Sequence, residues 1–183
     1  LFIVYLFIPM LRNMLHKFTK SILLFAFLIL AFVSQAQSIY KTELKEDVGP
    51  NSWRIIKKSY DQAILDKADY FLIEMNTFGG AVNFADSIRT LLLNSQIKTI
   101  VYINNNAASA GTLISLASDY IFMQTGASIG AASVVNPQGE VMPEKYQSYM
   151  RGLMRATAEA KGRDPKIAEA FVDPTVSLPE WKE

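Results

Sequence analysis

Short apolar runs along the chain alternate with stretches in which apolar residues recur every three or four positions, and this change of period predicts strands followed by helices. The run Tyr70–Met75 is almost entirely apolar, as expected for a strand buried in a parallel sheet. The turn Asn76–Gly80 ends it, and apolar positions 82, 85, 88 and 91 then predict a helix that reaches about Asn94. The order strand, glycine turn, helix predicts an α/β fold with a mostly parallel sheet and right-handed crossovers.

A second unit of the same kind follows, with a strand over Lys98–Ile103, a loop over Asn104–Ala107 and a helix of small residues that ends near Ser118. The other predicted elements are a strand over Ile39–Val48, a helix capped by Ser52, strands over Tyr120–Met123 and at Val134-Val135, a helix from Pro143 to about Gly162, and a short helix from Pro165 through Val172. The tail Asp173–Glu183 carries two prolines and no closing element. We therefore expect the domain to be cut short at its C-terminus.

The N-terminal 36 residues have the pattern of a secretory signal peptide. Lys17 and Lys20 precede the apolar run Ile22–Val33, and Ser34-Gln35-Ala36 has small residues at the two positions that a signal peptidase inspects. The run is shorter than the roughly 20 residues that span a bilayer. If the apolar residues before Arg12 are also part of the protein, an uncleaved membrane segment becomes the alternative. The globular domain is expected over residues 37–183.

Charge and composition exclude several classes of function. Removing residues 1–36 takes three basic and no acidic side chains from the 18 and 17 of the whole chain, and leaves a net charge of about −2. This charge gives no electrostatic reason to expect nucleic-acid binding. The chain has no cysteine, and its single histidine, His16, lies in the segment expected to be removed. Thiol catalysis, disulfides, and thiolate or histidine-rich metal sites are therefore excluded, and we expect no cofactor and no metal.

Ser109 is the candidate nucleophile. It lies among small residues in the stretch Ala107–Gly111, where a strand is expected to turn into a helix. A substrate carbonyl can approach such a hydroxyl, and the free N–H groups of the helix start can receive an oxyanion. The alternative is a helix start that packs closely, with Ser109 as its N-cap. Because no histidine remains in the domain, a Ser/His/Asp triad is excluded.

The glycine turn after the preceding strand offers further oxyanion donors. The carboxyl ends of neighbouring parallel strands face the same crevice, so the turn that contains Gly79 and Gly80 is expected to meet the Ser109 loop. Backbone N–H groups of Gly79 or Gly80 and of Ala110 could form an oxyanion hole, because glycine allows a close approach. The alternative is an ordinary turn between a strand and a helix.

A lysine is the preferred candidate for the general base. A lysine amine accepts a proton near neutral pH only where burial or positive potential lowers its pKa below the usual ~10.4. Lys145 follows Pro143 in the first turn of a predicted helix, where the helix dipole disfavours a cation. The alternative is a solvent-exposed helix lysine. Lys161, Lys166 and Lys98 are weaker candidates, because they lie near a helix end, on the short last helix and at the far end of a strand.

Over residues 39–183, these features resemble the NfeD family of ClpP-class membrane-bound serine proteases, which are partners of stomatin-like proteins. The resemblance rests on five stretches: Val48-Gly49-Pro50, Asn76–Gly80, Ala107–Thr112, Gly126–Ala132, and Gly162-Arg163-Asp164 with Ala168-Glu169. It implies a ClpP/crotonase-like fold built from repeated strand-turn-helix units. It also implies cleavage of hydrophobic segments of membrane-protein partners.

The resemblance also assigns roles to individual residues. The family's catalytic serine falls on Ser109, its general-base lysine on Lys145, and its oxyanion-hole glycines on Gly79 and Gly80. Phe78 stands where the family usually has proline. Family members also continue past the segment matched here, into membrane helices and a small β-barrel. The expected protein is exported, faces the periplasm, is associated with the membrane when full-length, and forms homo-oligomers.

Two other functions stay open at this point. One is a catalytically silent scaffold that binds a stomatin-like membrane partner. The other is a crotonase-type acyl-CoA enzyme, which shares the fold and the oxyanion hole and needs no activated serine. The sequence contains no basic patch suited to the phosphates of CoA.

Overall fold

The structure is a computed structural model that describes residues 2–31 and 36–178. The chain divides into two compact units, Leu1–Gln37 and Ser38–Glu183. The first unit contains one continuous helix, α1 (Phe2–Ala31), and its described side chains, those of residues 11–25, are exposed. Ser34 and Gln35 of the expected cleavage motif lie outside the described residues. No helix in the described ranges combines the length and the hydropathy that crossing a bilayer requires.

The second unit is an α/β domain, as predicted, around a five-stranded parallel sheet. Four strands lie in the order β1-β2-β3-β4, and β5 pairs with the distal part of β3. The strands are β1 (Ile39–Leu44), β2 (Tyr70–Thr77), β3 (Lys98–Ala108), β4 (Tyr120–Met123) and β5 (Ser128–Gly130). The helices are α2 (Pro50–Leu65), α3 (Val82–Leu93), α4 (Ala110–Leu116), α5 (Glu144–Ala160) and α6 (Pro165–Ala170).

One face of the sheet carries the hydrophobic core. Phe71, Ile73 and Met75 alternate along β2 and are fully buried, in one cluster with Ile56 of α2 and Ile88 of α3. The ring of Tyr60 meets that of Phe71 edge-on, with 5.5 Å between centroids. This packing holds the carboxyl ends of β2 and β3, where the candidate residues lie, on a rigid sheet.

Strand β3 is longer than the sequence predicts. The predicted loop Asn104–Ala107 continues the strand, because its backbone pairs with β5 on one side and Ala107 pairs with Thr77 on the other. The asparagine side chains are used within the sheet, since Asn104 Nδ2 donates to Glu74 Oε1 at 2.9 Å and Asn106 Oδ1 accepts from Ser128 Oγ at 2.9 Å. Strand pairing therefore overrides the turn preference of asparagine.

Two smaller predictions are wrong. The cap of α2 is Gly49 rather than Ser52, since the helix begins at Pro50 and Ser52 Oγ accepts from the N–H of Gly49 at 2.8 Å. Val134-Val135 forms no strand of its own. Val135 makes a single antiparallel bridge to Val141 within a hairpin.

Candidate active site

Ser109 lies between the end of β3 and the start of α4 in a strained backbone conformation. Its φ of 52° and ψ of −115° are rarely adopted by a residue with a side chain, and such conformations cost roughly 1–3 kcal/mol. Its N–H donates to Gly130 O at 2.9 Å, and its carbonyl accepts from Thr112 N at 3.0 Å. Ser109 occupies the N-cap position, but its hydroxyl makes no capping hydrogen bond. Capping therefore does not explain this serine.

The glycine turn lies directly against Ser109, so the structure brings the two predicted loops together. A Cβ on Gly79 would lie 2.6 Å from Ser109 Cβ and 3.1 Å from Ser109 Oγ, and the φ of Gly79 is +122°. A Cβ on Gly80 would lie 2.2 Å from Val48 O. Both positions therefore require glycine, Gly79 because Ser109 lies against it and Gly80 because the backbone of Val48 does.

Val48 fixes the direction of the turn. Its N–H donates to Gly79 O at 2.7 Å, and its carbonyl accepts from Ala81 N at 2.8 Å, which is the bonding of a parallel bridge to Gly80. In a parallel bridge, the N–H of the central residue points away from the partner strand. Within the described part of the chain, the N–H groups of Gly80 and Ala110 donate no hydrogen bond, whereas that of Gly79 lies 3.2 Å from Thr77 Oγ1.

A cleft of about 630 Å³ opens beside Ser109. Ser109 and Gly80 form one side, Met150 of α5 contributes from another, and residues 134–137 of the hairpin line the cleft as well. Phe78 also lines the cleft and is 77% exposed. The lining is largely apolar, with the serine hydroxyl among small side chains.

Lys145 lies in the first turn of α5, as predicted, and is exposed. It lines a smaller, apolar cavity of about 310 Å³ that shares Val82, Val134 and Met150 with the Ser109 cleft. In the ranges that the structure describes, its amine makes no ion pair and no hydrogen bond, including none to Ser109 Oγ. Catalytic hydrogen bonds are often long or poorly aligned before substrate binds.

Two of the other candidate lysines are bound elsewhere. Lys161 Nζ lies 3.2 Å and Lys98 Nζ 3.5 Å from Asp119 Oδ1. Burial opposes ionisation of Asp119, but hydrogen bonds from the N–H and hydroxyl of Thr99 and from Lys161 outweigh it and lower the pKa of Asp119 to about 2. Lys166 is exposed on α6. Of the four lysines considered, Lys145 alone borders the apolar space that adjoins Ser109.

A second charged cluster lies on β1 and β2, away from the cleft lining. Glu74 pairs with Lys41 and with Lys45, the latter at 3.1 Å, and accepts a hydrogen bond from Asn104. The hydrogen bond from Lys41, followed by those from Asn104 and Lys45, lowers the pKa of Glu74 to about 2. A carboxylate with so low a pKa is a weak base, and Glu74 does not line the Ser109 cleft, so it is no candidate for the general base.

Two polar residues that shape the site were missed from the sequence. The hydroxyl of Thr112 lies 2.8 Å from Ala107 O and 2.9 Å from Gly130 O, and it accepts from Gly130 N at 3.0 Å. It thus links the end of β3, beside Ser109, to β5. Its place next to Gly111 is the only sequence signal that marks it. Gln147 of α5 is buried against the hairpin, and no sequence pattern distinguishes it from an exposed helix glutamine.

Comparison with protein families gives one match over most of the chain. The family model described as "NfeD1b, N-terminal domain" matches residues 38–183. Membrane protein NfeD1b of Bacillus subtilis (strain 168) is 33% identical over 147 residues, which are 80% of this chain and 34% of that protein. The membrane-bound protease PH1510 of Pyrococcus horikoshii is 30% identical over 148 residues, 76% of this chain and 34% of that protein. The chain thus spans about a third of the length of these relatives.

Solved structures confirm the predicted ClpP-like fold. A lysine-to-alanine mutant of the 1510-N membrane-bound stomatin-specific protease, in complex with a substrate peptide, superposes with a TM-score of 0.72 at 29% identity, over 78% of this chain and 68% of that one. A serine-to-alanine mutant of 1510-N gives a TM-score of 0.72 at 28% identity, over 79% and 73%. ClpP1 from Listeria monocytogenes gives 0.59 at 21% identity, over 73% and 79%, which supports the fold alone.

Proposed function

The chain belongs to the family of NfeD1b N-terminal domains, and on this basis we propose that it is a serine endopeptidase with Ser109 as nucleophile and Lys145 as general base. The observation that carries the proposal is the conformation of Ser109. Its backbone is strained, its hydroxyl caps no helix, and it borders a cleft beside two free N–H groups. Backbone strain of this kind is concentrated at functional sites.

In the first step, the neutral amine of Lys145 takes the proton of Ser109 as Oγ attacks the carbonyl carbon of the scissile peptide bond. The N–H groups of Gly80 and Ala110 stabilise the oxyanion that forms, and Gly79 leaves the space that the tetrahedral centre needs. The C–N bond then breaks, the leaving amine takes the proton from Lys145, and an acyl-enzyme remains. Water, deprotonated by Lys145, then attacks the ester carbonyl. The C–O bond to Ser109 breaks, Oγ takes the proton back from Lys145, and the carboxylic acid product leaves.

Two observations support Lys145 as the general base: the cavity that it borders and the mutants in which the related 1510-N protease was solved. It borders an apolar cavity that shares three residues with the Ser109 cleft, whereas Lys161 and Lys98 pair with Asp119. The 1510-N protease was solved as a lysine-to-alanine and as a serine-to-alanine mutant. A Ser/Lys pair is consistent with both facts.

The apolar lining of the cleft favours substrates with hydrophobic side chains, such as segments of a membrane protein. The related 1510-N is specific for a stomatin homologue, so a stomatin-like protein is the partner that we propose here. The N-terminal 36 residues are proposed to act as a signal peptide or membrane segment. They would direct the domain (residues 37–183) to a membrane-associated, periplasmic-facing site, where it would act as a homo-oligomer.

Cleavage of a hydrophobic peptide tests the proposal. Ser109→Ala and Lys145→Ala should each lower turnover by at least about a thousandfold, since both remove a group that acts in every turnover. Ser148→Ala and Lys166→Ala, at exposed helix positions, are the matched controls and should keep wild-type turnover. Wild-type turnover in either of the first two variants would contradict the pair.

A further inference from the structure

The side chain of Gln147 is buried. Its amide makes hydrogen bonds to the backbone of the hairpin that lines the cleft, as a neighbouring strand would. Its Oε1 accepts from Val134 N at 2.9 Å, and its Nε2 donates to Val134 O at 2.7 Å and to Met142 O at 3.0 Å. The residue is only 8% exposed. One amide group therefore satisfies both backbone groups of Val134 and a carbonyl at the other end of the hairpin.

The hairpin Val134–Met142 is otherwise held together by local bonds. Met142 N donates to Val134 O at 2.9 Å, and Asn136 N donates to Glu140 O at 2.9 Å. Asn136 Oδ1 accepts from the N–H groups of Gln138 and Glu140. These bonds shape the hairpin but do not fix it to α5, so Gln147 is the polar link that joins the two.

This link joins the helix that carries Lys145 to a residue that lines the Ser109 cleft. Gln147 follows Lys145 by two residues in the first turns of α5. Val134, which it holds, lines both the cleft of Ser109 and the apolar cavity of Lys145. A shift of this contact would change the separation of the helix start and the cleft wall.

We propose that Gln147 is a positioning residue, which holds the helix turn carrying Lys145 in register with the hairpin that walls the Ser109 cleft. The inference rests on the proposed function, because it requires Lys145 to act on Ser109. Its effect is on catalysis through Lys145. A small misplacement of a catalytic group can cost about a hundredfold in rate, whereas loss of fold would affect every property of the domain alike.

A double-mutant cycle separates these two roles. The rate at which a fluorophosphonate labels Ser109 is measured for the full chain and for Gln147→Leu, Lys145→Ala and the double variant, with the melting temperature of each. Gln147→Leu should slow labelling at least about tenfold when Lys145 is present, and less than about twofold in the Lys145→Ala background. Gln138→Glu, at an exposed position on the same hairpin, should leave labelling unchanged.

A second variant, Gln147→Glu, distinguishes loss of these hydrogen bonds from loss of the fold. Gln147→Glu keeps the size of the side chain and the acceptor for Val134 N, but it removes the donor to the two carbonyls, so it should slow labelling as Gln147→Leu does. Equal slowing with and without Lys145, no slowing at all, or unfolding of both variants would overturn the positioning role alone. Unchanged labelling in Lys145→Ala would overturn the proposed base and this inference with it.

Discussion

A methyl carbon at Gly79 would lie 2.6 Å from the Cβ of Ser109, well inside the contact distance of two nonbonded carbon atoms. The turn and Ser109 are therefore packed so that only glycine fits at position 79. The φ of +122° at Gly79 adds a backbone requirement that L side chains rarely meet. Ser109 and the turn beside it thus pack as one unit, and a substitution in the turn should displace Ser109.

Gly79→Ala should displace Ser109 and cost about 1–3 kcal/mol in the free energy of unfolding, because it combines a steric overlap with a strained φ. Labelling of Ser109 by a fluorophosphonate should fall by at least about a hundredfold. Urea unfolding and labelling rates measure the two effects. Wild-type values for both would mean that the turn does not lie against Ser109.

Gly152→Ala is the matched control for Gly79→Ala, and we expect it to increase stability. Gly152 lies inside α5, and apart from its chain neighbours and the backbone of the helix itself, no heavy atom of the described residues lies within 4 Å of the position that its Cβ would take. Alanine there should raise the free energy of unfolding by up to about 1 kcal/mol, since it restricts the unfolded chain and favours the helix. Labelling of Ser109 should not change, and a loss of stability would show that the position is not open.

The strain at Ser109 can be measured by comparing two variants that both lack the hydroxyl. Ser109→Gly removes both the hydroxyl and the Cβ, whereas Ser109→Ala removes the hydroxyl and keeps the Cβ in the unfavourable conformation. The glycine variant should therefore be more stable by about 1 kcal/mol, although glycine usually costs stability through the entropy of the unfolded chain. Urea unfolding decides this, and a more stable alanine variant would contradict the strain.

Asp119 should contribute to stability in a pH-dependent way. Its pKa falls from 3.8 to about 2 on folding, so the contribution is complete above about pH 4 and is lost as the pH falls towards 2. The free energy of unfolding of the wild type should exceed that of Asp119→Asn, and this difference should shrink by about 2 kcal/mol over this window. Chemical unfolding of both proteins at pH 5 and pH 2 measures the difference. A difference that does not vary with pH would contradict the pairing with Thr99 and Lys161.

Local pattern was enough to predict much of the fold. Tyr120–Met123 has the predicted bounds, and the helix after Pro143 starts where the proline indicates, because a short apolar run and a helix-start signal each depend on neighbouring residues alone. The extension of β3 and the role of Gln147 depend on partners that lie 13 or more residues away in the chain. Such pairings are set by the register of the sheet, which periodicity alone does not specify.

Mass-spectrometric mapping of fluorophosphonate labelling tests whether Ser109 is a nucleophile that Lys145 activates. We expect one adduct per chain, on Ser109, absent in Ser109→Ala and slowed by at least about a hundredfold in Lys145→Ala, with Lys166→Ala as the control that labels normally. No labelling across pH 6 to 10, or labelling of Ser109 at the wild-type rate in Lys145→Ala, would contradict the account.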